Sequence, residues 1–154
     1  MHPSKHAQVT PDKAAIIMAD SGEVISYRAL DERSNRIAHL LRTKGLRSGD
    51  TIAIHMENHS LYFPLVWGAQ RAGLHYVCMS SRLTKAEAQY IIEDSGAKML
   101  ITSAALADIA EQLRKEMAEE GAAIELLMAD GAIAGCADLD ALLDAQPSTP
   151  ISDE

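Results

Sequence analysis

The sequence predicts an α/β domain whose sheet is mostly parallel, with helices on both faces and a small β-hairpin in front. From about residue 50 onwards, short apolar runs of strand length alternate with amphipathic helical patterns. The spacing of this alternation suits right-handed strand–helix–strand crossovers. Nearer the N-terminus, two apolar runs flank a glycine-containing turn, which is typical of a hairpin. We expect one α/β domain over residues 1–146, with residues 147–154 as a linker.

The first elements are the hairpin and a long helix. Residues 1–13 are polar and contain two prolines, so at most one short helical turn is expected there. Residues 14–18 and 24–25 form the two arms of the hairpin. Ser26 is expected to be the N-cap of the helix that follows, and Lys44 with the next glycine is expected to end this helix. The apolar stripe of this helix predicts its buried face: Leu30, Ile37, Ala38, Leu40 and Leu41.

The remaining elements alternate along the chain. Strands are expected over residues 51–56, 76–79, 99–101 and 124–128, and helices over residues 60–72, 84–96, 103–120 and 139–143. Asn58 or Ser60 is expected to cap the second long helix, with Pro64 in its first turn. Thr84 and Glu87 fit the capping box, in which each residue satisfies the backbone N–H of the other.

The charge of the chain is unevenly distributed. The net charge is −8, and residues 103–154 hold twelve acidic but only two basic groups. An acidic surface argues against nucleic acid and against anionic membranes, because both are bound through Lys and Arg. There is no apolar run of about 18 residues, so no transmembrane segment is expected. Residues 1–6 lack the apolar stretch of a secretory signal, so we expect a cytoplasmic protein.

The cysteines and histidines give no metal signal. Cys78 and Cys136 are expected to be reduced and mostly buried thiols. His55 and His59 flank a glutamate, but their spacing differs from the His-Glu-x-x-His pattern of zinc proteases. We therefore expect two solvated or locally bonded histidines at the end of a strand.

Two further patterns have both a functional and a structural interpretation. Residues 68–73 have the glycine spacing of a phosphate loop, but Leu74 and His75 follow where Lys and Ser or Thr are required, so a helix end is expected. Four of the six aromatic residues are expected to pack in the core, with a wall of an apolar pocket as the alternative: Tyr62, Phe63, Trp67 and Tyr76. The residues alone therefore indicate no catalytic, cofactor-binding or metal-ligating residue.

Several segments together resemble the N-terminal part of an adenylate-forming (ANL superfamily) fatty-acyl-CoA synthetase. Residues 25–30, Ile-Ser-Tyr-Arg-Ala-Leu, are similar to the first core motif of that family, and residues 70–79 to its second. Residues 49–54, 81–87 and 98–102 continue the resemblance in the same order. Cys78 stands where the second motif usually has proline.

The resemblance implies an acyl-CoA ligase. Such enzymes join a fatty or related carboxylic acid to CoA, with ATP and Mg²⁺, through an acyl-adenylate. The family's phosphate loop, adenine-binding segment, hinge and C-terminal domain have no counterpart in residues 1–154. We therefore expect an inactive N-terminal fragment with a scaffold role. Its expected partner is the remainder of the enzyme, and the resemblance also allows a homodimer through exposed apolar surface. The alternative is a stand-alone α/β interaction module of the same ancestry, without catalysis.

Overall fold

The computed structural model describes residues 2–152. Its helices are α1 (Pro3–Val9), α2 (Tyr27–Thr43), α3 (Tyr62–Arg71), α4 (Lys85–Asp94), α5 (Ala107–Glu119) and α6 (Leu139–Asp144). Its strands are β1 (Ala14–Ile17), β2 (Val24–Ser26), β3 (Thr51–His55), β4 (His75–Met79), β5 (Ala97–Ser103), β6 (Glu125–Ala129) and β7 (Ala137–Asp138). A 3₁₀ turn, Ala104–Leu106, joins β5 to α5.

The strands form two separate sheets. β1 and β2 pair antiparallel as the hairpin, whereas the other five strands pair in parallel in the order β4-β3-β5-β6-β7. One apolar core joins this parallel sheet to α2, α3 and α6, and a second joins its opposite face to α4 and α5. The predicted fold class, a parallel sheet with helices on both faces behind a small hairpin, is confirmed.

Local capping accounts for several helix ends. The Ser26 hydroxyl accepts a hydrogen bond from the Ala29 N–H at the start of α2. The chain leaves this helix through Gly45, whose φ of +85° suits a residue without a side chain. Thr84 and Glu87 form the expected capping box on α4. These three features confirm what the sequence predicts for the two helices.

The structure corrects the prediction for the N-terminal residues. Residues 3–9 form a seven-residue helix, longer than the single turn expected. His2 caps this helix through Nδ1, which accepts a hydrogen bond from the Ser4 N–H. Pro3 occupies the first turn, where its missing N–H does no harm. The His2 ring also packs edge-on against Trp67 of α3, with the ring centroids 5.0 Å apart, so tertiary contact stabilises a segment of weak local pattern.

The start of α3 also differs from the prediction. Neither Asn58 nor Ser60 caps it, because the N-cap position falls on Leu61, which makes no side-chain capping bond. Instead, Nδ1 of His59 accepts a hydrogen bond from the Leu61 N–H. Pro64 lies in the first turn, as predicted.

Two elements nearer the C-terminus also differ from the prediction. The two-residue strand β7 was not predicted, and residue 103 belongs to β5 and not to the following helix.

Long-range polar contacts hold α2 to its surroundings. The buried Arg71 guanidinium of α3 bonds Asp31 and the Ser34 hydroxyl on α2. Asn35 donates to the Ser148 carbonyl at 2.9 Å, and Nε2 of His39 donates to the Thr149 carbonyl at 2.9 Å. Ile151 also enters the core. Residues 148–151 therefore lie along α2, while the division between residues 1–146 and 147–154 stays a prediction.

Candidate functional site

The parallel sheet has one topological switch point. From β3 the chain crosses to β4 on one side, and from β5 it crosses to β6 on the other. In open α/β sheets, ligands bind in the crevice outside the carboxyl ends of the two strands where the connections diverge. The loops that follow β3 and β5 are therefore the candidate functional site.

Glu57 and Ser103 meet at this switch point. Glu57 follows β3 and is partly buried, while Ser103 ends β5 and is almost fully buried. The Ser103 hydroxyl donates a hydrogen bond to Oε2 of Glu57. This bond joins the two strand ends across 46 residues of sequence.

His55 lies at the carboxyl end of β3 and is fully buried. Its Nε2 donates to the Ser80 carbonyl after β4 at 3.1 Å. Burial lowers the pKa of His55 from 6.5, and the bond to Ser80 only partly opposes this shift. The imidazole is therefore neutral at pH 7. Its Nδ1 and the hydroxyl of Thr102, the residue in register with it on β5, are both buried without a hydrogen-bond partner.

A second histidine bridges more distant loops. Nε2 of His59, after β3, donates to Oδ2 of Asp130, after β6, at 2.8 Å. Asp130 adopts a φ of +58°, and its N–H donates to Asp140 of α6 at 2.8 Å. His59 and Asp130 form part of the wall of an open cleft of about 460 Å³, together with Arg33 and Arg36 of α2.

A third feature is a polar depression of about 450 Å³ at the same edge of the sheet. Residues from the loops after β3 and β4 supply most of its lining: Glu57, Asn58, Ser80, Ser81 and Arg82. Tyr62 closes one side. Burial, with a hydrogen bond to the Cys78 thiol, raises the pKa of Tyr62 to about 12. The phenol therefore stays protonated and can donate.

The arrangement supplies hydrogen-bonding groups, but not a nucleophile with its base. The Ser103 hydroxyl is directed at a carboxylate, and both ring nitrogens of His59 are occupied by Asp130 and Leu61. Within residues 2–152, no group of three or more His, Cys, Asp or Glu side chains is placed to hold a metal ion. The glycine-spaced segment 68–73 forms the C-terminal end of α3, as predicted, where carbonyls point outwards and disfavour phosphate.

Two expectations about burial are wrong. Cys78 is exposed, because β4 is an edge strand, although both cysteines are free as expected. Cys136 is partly buried, and burial raises the pKa of its thiol. Among the aromatics, Phe63 is 53% exposed and Tyr76 is 40% exposed, so neither is a core residue.

The prediction that His55 and His59 are solvated or locally bonded is only partly correct. His59 bonds locally to Leu61, but its bond to Asp130 spans 71 residues. His55 is buried and not solvated. Reasoning from the sequence did not single out Glu57 and Ser103. The signal was available, since polar residues directly after two buried parallel strands lie at one edge of the sheet.

Among residues 2–152, no helix is both long enough and apolar enough to cross a bilayer.

Comparison with known proteins gives a consistent result. The family model described as "AMP-binding enzyme" matches residues 4–151. The crotonobetaine/carnitine–CoA ligase of Escherichia coli O1:K1 / APEC is 33% identical over 147 residues, which cover 93% of this chain and 28% of that protein. The chain thus spans little more than a quarter of the length of this curated relative.

Solved structures agree with the family match. A fatty acyl CoA synthetase of Mycobacterium tuberculosis has a TM-score of 0.85 and 25% identity, with 99% of this chain and 29% of that chain covered. The inhibitor-bound N-terminal domain of FACL13 from the same organism has a TM-score of 0.86 and 25% identity, with 99% and 36% covered. These likenesses confirm the resemblance to the N-terminal part of acyl-CoA synthetases. With its family model matched over residues 4–151, the chain belongs to the AMP-binding enzyme family.

Proposed function

We propose that this chain is the N-terminal part of an ATP-dependent acyl-CoA ligase. The reaction joins a fatty or related carboxylic acid to CoA through an acyl-adenylate, with release of AMP and pyrophosphate. The observation that carries the proposal is the 33% identity to a CoA ligase over 93% of this chain, which covers only 28% of that ligase. The fold match to an N-terminal domain supports the same placement.

In this proposal the chain is a scaffold without ligase activity of its own. ATP, Mg²⁺ and CoA belong to the reaction of the intact enzyme, but the groups described in residues 2–152 do not fit its metal ion or its phosphates. The acidic and histidine side chains there form no metal-binding set, and the glycine-spaced segment lies at the wrong end of a helix for phosphate. The remainder of the enzyme would therefore hold these groups.

The surface offers a place for that remainder to dock. A mostly apolar groove of about 450 Å³ lies between the hairpin and α3, lined by Ile16, Ile17, Met18, Tyr62 and Phe63. Ile17 and Phe63 are more than half exposed, as is the nearby hairpin residue Val24. Clusters of exposed apolar side chains are a common feature of interaction surfaces. We assign this groove, the hairpin groove, to contact with the rest of the ligase.

The proposed compartment is the cytoplasm. Free thiols at Cys78 and Cys136 support this location, because disulfides are rare in the reducing cytosol. Fractionation of the source cells, with immunodetection of the native protein, tests it. Detection only in an oxidising compartment would contradict the proposal.

The decisive experiment compares two polypeptides in ATP–pyrophosphate exchange and acyl-CoA formation. One is the 154-residue chain, and the other is the full product of its reading frame. The acids tested are saturated fatty acids of several lengths, carnitine and crotonobetaine. We expect activity only in a product extended by an ATP-binding region. Activity of the 154-residue chain alone would overturn the scaffold role, and an extended product inactive with every acid would overturn the ligase assignment.

An intact-mass measurement on the native protein separates the alternative. A native mass of 16.6 kDa, the mass of this chain, would favour a stand-alone interaction module without catalysis.

A further inference from the structure

Strand β4 forms one edge of the parallel sheet and is unusually open to solvent. β3, β5 and β6 are buried along most of their length, whereas His75, Tyr76 and Cys78 of β4 are all exposed. At the opposite edge, β7 has only two residues and leads directly into α6. The β4 edge is therefore the long, uncovered side of the sheet.

The peptide groups of β4 alternate between its neighbour and solvent. The His75 N–H donates to the Asp50 carbonyl at 2.8 Å, which directs residue 75 towards β3. Because N–H and C=O of one residue point the same way in a strand, Val77 and Met79 also face β3. The N–H and C=O groups of Tyr76 and Cys78 then point away from the sheet, and no strand within residues 2–152 pairs with them.

The strand carries none of the features that usually block edge pairing. Its five residues, His75–Met79, include no Lys, no Pro and no acidic residue. Its register with β3 runs without a bulge over all five positions. Aromatic and β-branched residues such as Tyr76 and Val77 favour extended structure. A regular, uncharged edge of this kind is a template for another strand.

Charge distribution favours a second copy of the chain as the partner. Residues 121–152 hold five acidic groups and no Lys or Arg, and they include β6, β7 and α6. β6 and β7 are the two strands farthest from β4. Residues 1–102, which include β4, hold twelve basic and ten acidic groups. Two copies that meet at β4 keep their acidic sides far apart, which lowers the repulsion between them.

We propose that β4 pairs antiparallel with β4 of a second copy, so that one sheet runs through both molecules. The register that pairs all five residues places Val77 opposite Val77 and Tyr76 opposite Cys78. In that register, the outward N–H and C=O groups of Tyr76 and Cys78 exchange hydrogen bonds with their counterparts. The contact differs from the hairpin groove and does not depend on the proposed ligase function.

Sedimentation equilibrium on the 154-residue chain tests the pairing. We expect a monomer–dimer equilibrium that Tyr76→Pro weakens about tenfold or more, because proline removes an outward N–H without breaking a bond to β3. Circular dichroism checks that the variant remains folded. Ile17→Lys, in the hairpin groove, is the matched control and should leave the dimer intact. A monomer at all concentrations, or a dimer lost only in Ile17→Lys, would overturn the proposal.

Disulfide trapping tests the register and does not depend on whether Tyr76→Pro folds. The background carries Cys78→Ser and Cys136→Ser, which remove both native thiols. Val77→Cys should then form an intermolecular disulfide under mild oxidation. In the proposed register the two Val77 residues form a non-hydrogen-bonded antiparallel pair, whose Cα atoms lie about 4.5 Å apart, a distance that a disulfide can span. Ile17→Cys in the same background should stay monomeric on a non-reducing gel. Cross-linking of Ile17→Cys but not Val77→Cys would refute the β4 contact.

Discussion

A Cβ atom placed on Gly68 of α3 would lie 2.4 Å from Cγ2 of Ile37 on α2. It would also lie 3.0 Å from the Ser34 carbonyl oxygen of the same helix. Ile37 is fully buried and its branched side chain has little freedom to move aside. The two helices therefore approach this closely only because residue 68 has no side chain.

Gly68→Ala should destabilise the fold despite the better helix propensity of alanine. Overpacking of a core typically costs about 1–3 kcal/mol. Replacement of a helical glycine by alanine gains about 1 kcal/mol, which is less than the upper part of that cost. The 2.4 Å approach places this variant at the upper end of the overpacking cost, so we expect a net loss of about 2 kcal/mol in urea denaturation. Gln70→Ala, an exposed position on the same helix, is the control and should change stability little. A stability of Gly68→Ala equal to that of the parent would show that α2 and α3 can separate at no cost.

Asp31→Ala should be more harmful than loss of a surface ion pair. The Arg71 side chain that bonds Asp31 is fully buried, so removal of the carboxylate leaves a buried guanidinium with one partner fewer. We expect a loss of about 3 kcal/mol in the free energy of unfolding. Asp12→Ala, which breaks the exposed Arg28–Asp12 pair, should cost less than about 1 kcal/mol. Equal effects in the two variants would contradict a structural role for the buried pair.

His55 should make stability depend on pH below neutrality. Burial holds its pKa in the folded chain below the 6.5 of the unfolded chain, so the unfolded state binds more protons between these two values. The contribution of the neutral imidazole is complete above about pH 6.5 and is lost as pH falls towards the folded pKa.

Urea denaturation at pH 7.5 and pH 5.5 measures this effect. His55→Gln, which keeps a donor for the Ser80 carbonyl, should lose less stability on acidification than the parent chain. The other five histidines are common to both proteins, so the difference isolates His55. Identical losses in the two proteins would exclude His55 as the source.

Ser103→Ala should loosen the switch point between β3 and β5. It removes the hydroxyl that donates to Glu57, and the carboxylate is partly exposed, so water replaces part of the lost bond. We expect a loss of about 1 kcal/mol, or a melting temperature lower by about 2–4 °C. Glu57→Gln keeps an acceptor for the hydroxyl and should have a smaller effect. A larger effect of Glu57→Gln would mean that the carboxylate acts through other contacts.

The sequence by itself determined the elements whose causes are local. The cap of α2 at Ser26 and the capping box of Thr84 and Glu87 depend on atoms within three residues of each other. The alternation of strands and helices, and with it the fold class, follows from the periodicity of apolar residues. The family motifs are of the same kind, because they lie in continuous segments.

Tertiary structure alone decided the contacts at the site and the exposure of β4. Asp31 and Arg71 are 40 residues apart, and Glu57 and Ser103 are 46 apart, so no local pattern pairs them. Tyr76 and Cys78 lie in an apolar run that reads as buried, yet β5 pairs with the other side of β3 and leaves β4 at the edge. Strand order depends on how whole helices pack across the sheet. It therefore cannot be predicted from the residues of a single strand.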